Sequence, residues 1–176
     1  MKRRIPGRPP SPPPAGRPPA PSVPSPASRF ETPHATLAAI EERFAPIVAA
    51  VAHVARADNT PTVRLEGALE IIFGAYGQSD ADFSEMLLSG WMRARHDKHH
   101  RLALAWQREQ LRLSLEEILQ TGVAAGAFRK ELVTGAVAAV MLGAAEGCLL
   151  QSATQGGAVP PGEVVRALMS LALSGA

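Results

Sequence analysis

Residues 106–155 constrain the fold more than any other stretch of the chain. Leu104, Leu111, Leu115 and Ile118 recur at helical spacing, with Arg108, Arg112, Glu116 and Glu117 between them. That pattern predicts a long amphipathic helix. Gly122 and Gly126 then weaken it, and Phe128-Arg129-Lys130 leads out of it. The next helix carries Gly135, Ala139, Gly143 and Gly147 at steps of four. Positions four apart form one row along a helix. A row without bulk admits a second helix at close range, from the same chain or from another copy.

The remaining segments read as helices of the same kind. The first opens near His34–Thr36 and runs to about Arg56, with Leu37, Ile40, Phe44, Ile47, Val48 and Val51 as its apolar stripe. Pro46 lies inside it and is expected to kink it. Thr60-Pro61 has the form of an N-cap followed by proline at the first helical position. The second helix, from Pro61 to about Tyr76, is expected to bury Val63, Leu65, Leu69, Ile72, Phe73 and Tyr76. A third covers about Ala81 to Arg95, and the long helix runs from about Asp97 to Ala125. The small-residue helix covers about Glu131 to Thr154, and a last one follows Pro160-Pro161. No segment alternates in the manner of a strand. Ala, Leu, Glu and Arg dominate, which predicts an all-α, six-helix bundle.

Residues 1–29 are different in kind. They hold 11 of the 16 prolines, six Lys or Arg and no acidic residue. Residues 30–176 carry 12 basic and 16 acidic side chains, a net charge of −4, so the basic pI belongs to the tail. Proline blocks helix interiors and removes donors, and only Ile5 and Val23 could contribute bulk to a core. The expected organisation is a disordered Pro/Arg-rich tail over 1–29 and one helical domain over 30–176. The tail has three readings: a PxxP ligand for an adaptor, a basic arm that touches phosphates, and a segment without function. Composition favours the last, because Arg, Pro, Ala, Gly and Ser are what GC-rich codons give in an unused reading frame.

The single cysteine, Cys148, excludes an internal disulfide and suits a reducing cytoplasm. The N-terminus has no apolar run behind its basic residues, so no signal peptide is expected. Leu132–Leu150 nearly has the length of a membrane span, but Glu146 and its glycines favour a buried core helix over a membrane one. His96, His99 and His100 could share a helical face as metal ligands, yet a solvated turn is the favoured reading, and no metal or cofactor is expected. His53 is expected to be semi-buried, Cys148 to be a buried inert thiol, and Glu116-Glu117 to be a solvated helix face. There is no nucleophile elbow, phosphate-cradling glycine loop or evident carboxylate pair, so an enzyme is not expected.

From about Phe30 onward the chain resembles the C-terminal ligand-binding and dimerisation domain of TetR/AcrR-type transcriptional regulators. Two places carry the resemblance. Arg108–Leu132, followed by Ala138–Gln151, is similar to that family's long seventh helix, its G-x-x-x-G-x-[FL]-R exit and its eighth helix. Arg29–Leu37 is similar to the degenerate end of the segment that closes the DNA-binding head. Residues 1–29 contain no T-x-x-x-I-A-x-x-A-G-V-S pattern, so the helix-turn-helix head that the family uses to reach DNA is expected to be missing from this chain. Val133-Thr134 replace the usual acidic cap before the eighth helix, and Thr134 is expected to cap instead.

The resemblance implies an apolar or aromatic small-molecule effector held in the bundle. Tyr76, Phe83, Met86, Trp91, Met92, Trp106 and Met141 are the candidates for its lining, weighed against ordinary core filling. It also implies a homodimer built as a four-helix bundle from the last two helices of each subunit. Ala139, Val140, Gly143, Ala144, Gly147, Leu168 and Leu171 are the candidates for that contact. DNA would be reached only through a head not present in this chain, and no membrane partner is expected. The alternative is a helical protein-interaction module that uses the Pro-rich arm.

Overall fold

The computed structural model describes residues 33–77, 81–154 and 160–173. Those residues form six helices: α1 (Pro33–Ala55), α2 (Pro61–Gly77), α3 (Ala81–Ala94), α4 (Lys98–Ala124), α5 (Thr134–Thr154) and α6 (Pro161–Ala172). The expectations for residues 1–29, for the turn at 78–80 and for Gly156-Gly157 lie outside the described residues.

Local chemistry sets most of the helix ends. Asp97 caps α4: its carboxylate accepts from the His99 backbone N–H at 2.7 Å and from that of His100 at 3.4 Å. These are two of the donors that a helix start leaves without an intrahelical partner. Thr60 does the same for α2, where Oγ1 accepts from the Val63 N–H at 3.4 Å. Pro46 does not end α1. The helix runs through it, with the proline on the solvent side, where the carbonyl it strands can meet water.

Helix α4 is the axis of the bundle and packs against α1, α2, α3 and α5, while α6 closes over α2 and α5. Its buried stripe is Leu104, Gln107, Leu111, Leu115, Ile118 and Leu119. Where α3 crosses α1 and α4, Gly90 leaves room for Ile40: a Cβ there would lie 2.8 Å from the Ile40 Cδ1. Phe44, Tyr76 and Phe83 bring α1, α2 and α3 together as an aromatic cluster with centroids 5.8–6.2 Å apart. Its T-shaped pairs suit the ring quadrupoles. Two expected positions differ. Val63 is exposed rather than buried. His53 is exposed rather than semi-buried.

The exit from α4 explains the glycine spacing seen in the sequence. Gly126 has φ +72°, a left-handed conformation that only glycine adopts readily. Around it the Ala127 N–H donates to the Gly122 carbonyl at 2.8 Å and the Gly126 N–H to the Val123 carbonyl at 3.1 Å. This is the Schellman arrangement that satisfies a helix's last carbonyls. The reversed chain lays the Phe128 ring across Gly122, where a Cβ would sit 2.0 Å from the ring. Phe128 then bridges to Leu173, the Arg129 N–H donates to the Ala172 carbonyl at 3.2 Å, and the Arg129 guanidinium donates to the Leu171 carbonyl. One eight-residue run thus ends α4, fills the gap beneath it and caps the C-terminus of α6.

Candidate functional site

A cavity of about 380 Å³ opens between α1, α2, α3, α4 and α5. Its apolar wall is Phe44 from α1, Tyr76 from α2, Trp91 from α3 and Leu104 from α4. Arg101 and Arg108 from α4 and Glu146 from α5 supply the charge. The volume falls in the range of about 300–1,000 Å³ typical of small-molecule sites, which pair an apolar lining with a few polar groups.

The sequence places these groups by simple geometry. Leu104 belongs to the buried stripe of α4, so Arg101 and Arg108, about one turn to either side, stand at the edge of the same face. Arg108 reaches across to α5 in a bidentate pair, with Nε donating to Glu146 Oε1 at 2.6 Å and Nη2 to Oε2 at 3.0 Å. Glu146 is mostly buried and Arg108 is half-exposed. Arg101 donates from Nη1 to the Ala94 carbonyl at 3.1 Å. Burial pushes the Tyr76 hydroxyl well above the usual phenol range; nearby Glu146 adds to that and Arg108 opposes it. Tyr76 therefore stays a neutral O–H group at any physiological pH.

Of the expected lining residues, the structure brings Tyr76 and Trp91 to this cavity. Phe83, Met86 and Met141 are buried in the packed core instead. Met92 and Trp106 are corrections: they are 62% and 58% exposed, and neither lines this cavity. Met92 borders a separate surface hollow with Ser89, Arg93, His96 and Asp97. Sequence reasoning missed Phe44, Arg101, Leu104, Arg108 and Glu146. The one available signal was Glu146, an acid in the middle of the most apolar helix.

The expected contact residues divide along the same helix. Ala139 and Val140 are exposed, and nothing lies within 4 Å of a Cβ added at Gly143 or Gly147. Leu171 on α6 is also exposed, while Ala144 packs partly against the core and Leu168 is buried within it. Gly135, the first member of the row, has a different task. It makes room for Glu116, whose Oε1 would be 2.9 Å from a Cβ there. Glu116 is thus not a freely solvated acid: it accepts from Arg112 Nη1 at 2.7 Å, and Arg112 also pairs with Glu109. Thr134–Gln151 is long and apolar enough to cross a membrane, and 33% of it is buried in the fold.

His100 is buried, with Nδ1 2.9 Å from Asp97 Oδ2, whereas His96 and His99 are exposed. Among the described residues no three His, Cys, Asp or Glu stand together as metal ligands would. Cys148 is buried, and burial raises its thiol pKa.

A comparison with curated protein sequences found no match. Among solved structures, the chain is similar to a bacterial regulatory protein of the TetR family from Rhodococcus RHA1, with a TM-score of 0.63 over 86% of this chain and 82% of that one. At 15% identity that likeness speaks for the fold. A comparison with protein families matches residues 61–174, from α2 through α6, to the family described as "BetI-type transcriptional repressor, C-terminal". That match covers more than half of the chain. With its all-α fold, the chain therefore belongs to this family of TetR-type regulator C-terminal domains.

Proposed function

We propose that this chain is the effector-binding and dimerising part of a TetR-type, repressor-class regulator, working in the cytoplasm. One observation carries the reading: α5 borders the cavity and also presents an uncovered apolar row. Glu146 stands at the cavity, while Val140, Gly143 and Gly147 turn outward with open space over the glycines, and exposed Ala139 borders a hollow with Arg108 and Arg112 of α4. An apolar helix of which only 33% is buried needs a further cover. A second copy, approaching closely over the glycines, supplies it and makes a symmetric contact. An effector in the cavity then acts on the same helix that sets the spacing of two subunits, which is how a small molecule shifts a population between two dimer geometries. Residues 1–29 carry eleven prolines and no T-x-x-x-I-A-x-x-A-G-V-S pattern, so this reading assigns DNA contact to a head outside them.

Light scattering on the full chain and on a chain lacking residues 1–29 tests the proposal. Each should show twice its own chain mass, which is 18.5 kDa for the full chain, with the same helical content per molecule. Introducing a charge with Val140→Asp should return the chain to monomers. If both forms are monomers at every concentration the reading fails. If only the shortened chain is a monomer, the Pro-rich arm rather than α5 makes the contact.

A further inference from the structure

We propose that the cavity takes a molecule with an apolar ring body and a carboxylate, and that this carboxylate competes with Glu146 for Arg108. The inference rests on the reading of the cavity as the effector site and names the chemistry of the effector.

An inventory of donors and acceptors around the cavity points this way. Phe44, Tyr76, Trp91 and Leu104 form an apolar wall that suits rings and offers no charge. Among the described residues the charged groups lining it are two guanidinia and one carboxylate, so their balance is positive. That carboxylate is Glu146, and both its oxygens already accept from Arg108. Arg101 donates a single N–H to the Ala94 carbonyl and pairs with no carboxylate among the described residues. A guanidinium carries five N–H donors in a fork that matches a carboxylate. Most of the fork of Arg101 and the outer part of that of Arg108 are therefore available. Both residues are exposed at the rim, while the wall lies deeper. A ligand that buries its rings against Trp91 and Tyr76 thus leaves an anionic end between the two arginines. The neutral Tyr76 hydroxyl adds a donor rather than a competing charge.

The same geometry bears on regulation. The Arg108–Glu146 pair ties α4 to α5, and Arg108 is the more exposed partner. A ligand carboxylate that shares Arg108 weakens this tie at the helix proposed to carry the dimer contact. The ligand therefore gains affinity when Glu146 holds Arg108 less firmly.

Isothermal titration calorimetry on the full chain tests this with three probes that share one ring body: 2-naphthylacetate, 2-naphthylacetamide and 2-(2-naphthyl)ethylammonium. The acid should bind at least about tenfold more tightly than the amide and the amine, in line with a charge-assisted pair. Arg101→Met should remove about that factor for the acid and leave the amide within about twofold. Glu146→Gln, which keeps the shape but not the charge, should tighten the acid severalfold. Three other results would overturn the proposal: the amine binding best, the three probes binding equally, or Glu146→Gln weakening the acid. Equal binding would leave the cavity as an effector site that selects by shape alone. If no probe binds to the folded chain, the effector reading of the cavity falls with the proposal.

Discussion

Gly122→Ala should destabilise this chain, although alanine is the better helix former. In an open helix the change gains about 1 kcal/mol. At Gly122 the new Cβ would lie 2.0 and 2.2 Å from two carbons of the Phe128 ring, well inside contact distance. The ring has little freedom to retreat. The Ala127 and Phe128 N–H groups both donate to the Gly122 carbonyl, and the next residues are held to the end of α6. Displacing the ring costs about 1–3 kcal/mol if the surroundings give way. The cost approaches the roughly 3–5 kcal/mol of a Phe→Ala truncation if the ring is expelled, since Phe128 is only 1% exposed. After the helix-propensity gain, the net loss is about 2 kcal/mol. Urea unfolding followed by circular dichroism, at one fixed protein concentration, measures it. Pairing Gly122→Ala with Phe128→Leu should recover part of the loss, because the two sites share one volume. A neutral or stabilising Gly122→Ala would refute the packing argument.

Two further outcomes follow from other parts of the structure. Gly126→Ala forces a side chain into φ +72° and should lower stability by about 1–2 kcal/mol, with Gly126→Asn costing less; the same urea titration reads both. The hydrogen bonds from His100 and from the His99 backbone hold the Asp97 carboxyl below its usual range. A depressed carboxylate pKa contributes stability that is present above the unfolded value of about 3.9 and is lost as pH falls through the lower folded value. The melting temperature of the native chain should therefore exceed that of Asp97→Asn at neutral pH, and the gap should close below about pH 4. A gap independent of pH would mean that the carboxylate charge plays no part in capping α4.

Much of the bundle was legible because its helices obey local rules. Thr60-Pro61 and the Gly122–Gly126 spacing are capping signals that place those helix ends to within a few residues, whereas the cap at Asp97 emerges only in the structure. Leu104, Leu111, Leu115 and Ile118 named the buried face of α4 correctly. The exposure of Trp106 follows from its position on α4. It lies two residues, about 200° around the helix, from Leu104, on the opposite side of the stripe. Val63 stands in the same relation to Leu65 on α2. Position on the helix, rather than residue type, decides which large apolar residues are covered. The cavity's polar groups were out of reach for a different reason. Arg108 and Glu146 are 38 residues apart, and nothing local marks them as partners. Only the packing of α4 on α5 brings them together. In the small-residue row, sequence could not separate Gly135, which accommodates Glu116 inside the chain, from Gly143 and Gly147, which face open space.

That open space offers the most direct test of the account, which holds that α5 joins two copies of the chain while serving the cavity. Sedimentation equilibrium would compare the native chain with Gly143→Leu/Gly147→Leu. Neither new Cβ meets an atom within 4 Å in the single chain, so the variant should keep its helical spectrum. The added bulk would fill the groove that a partner helix needs. The native mass should be twice 18.5 kDa, and the folded variant should run at the chain mass. A native chain that stays monomeric at high concentration, or a variant that dimerises as tightly as the native chain, would contradict it.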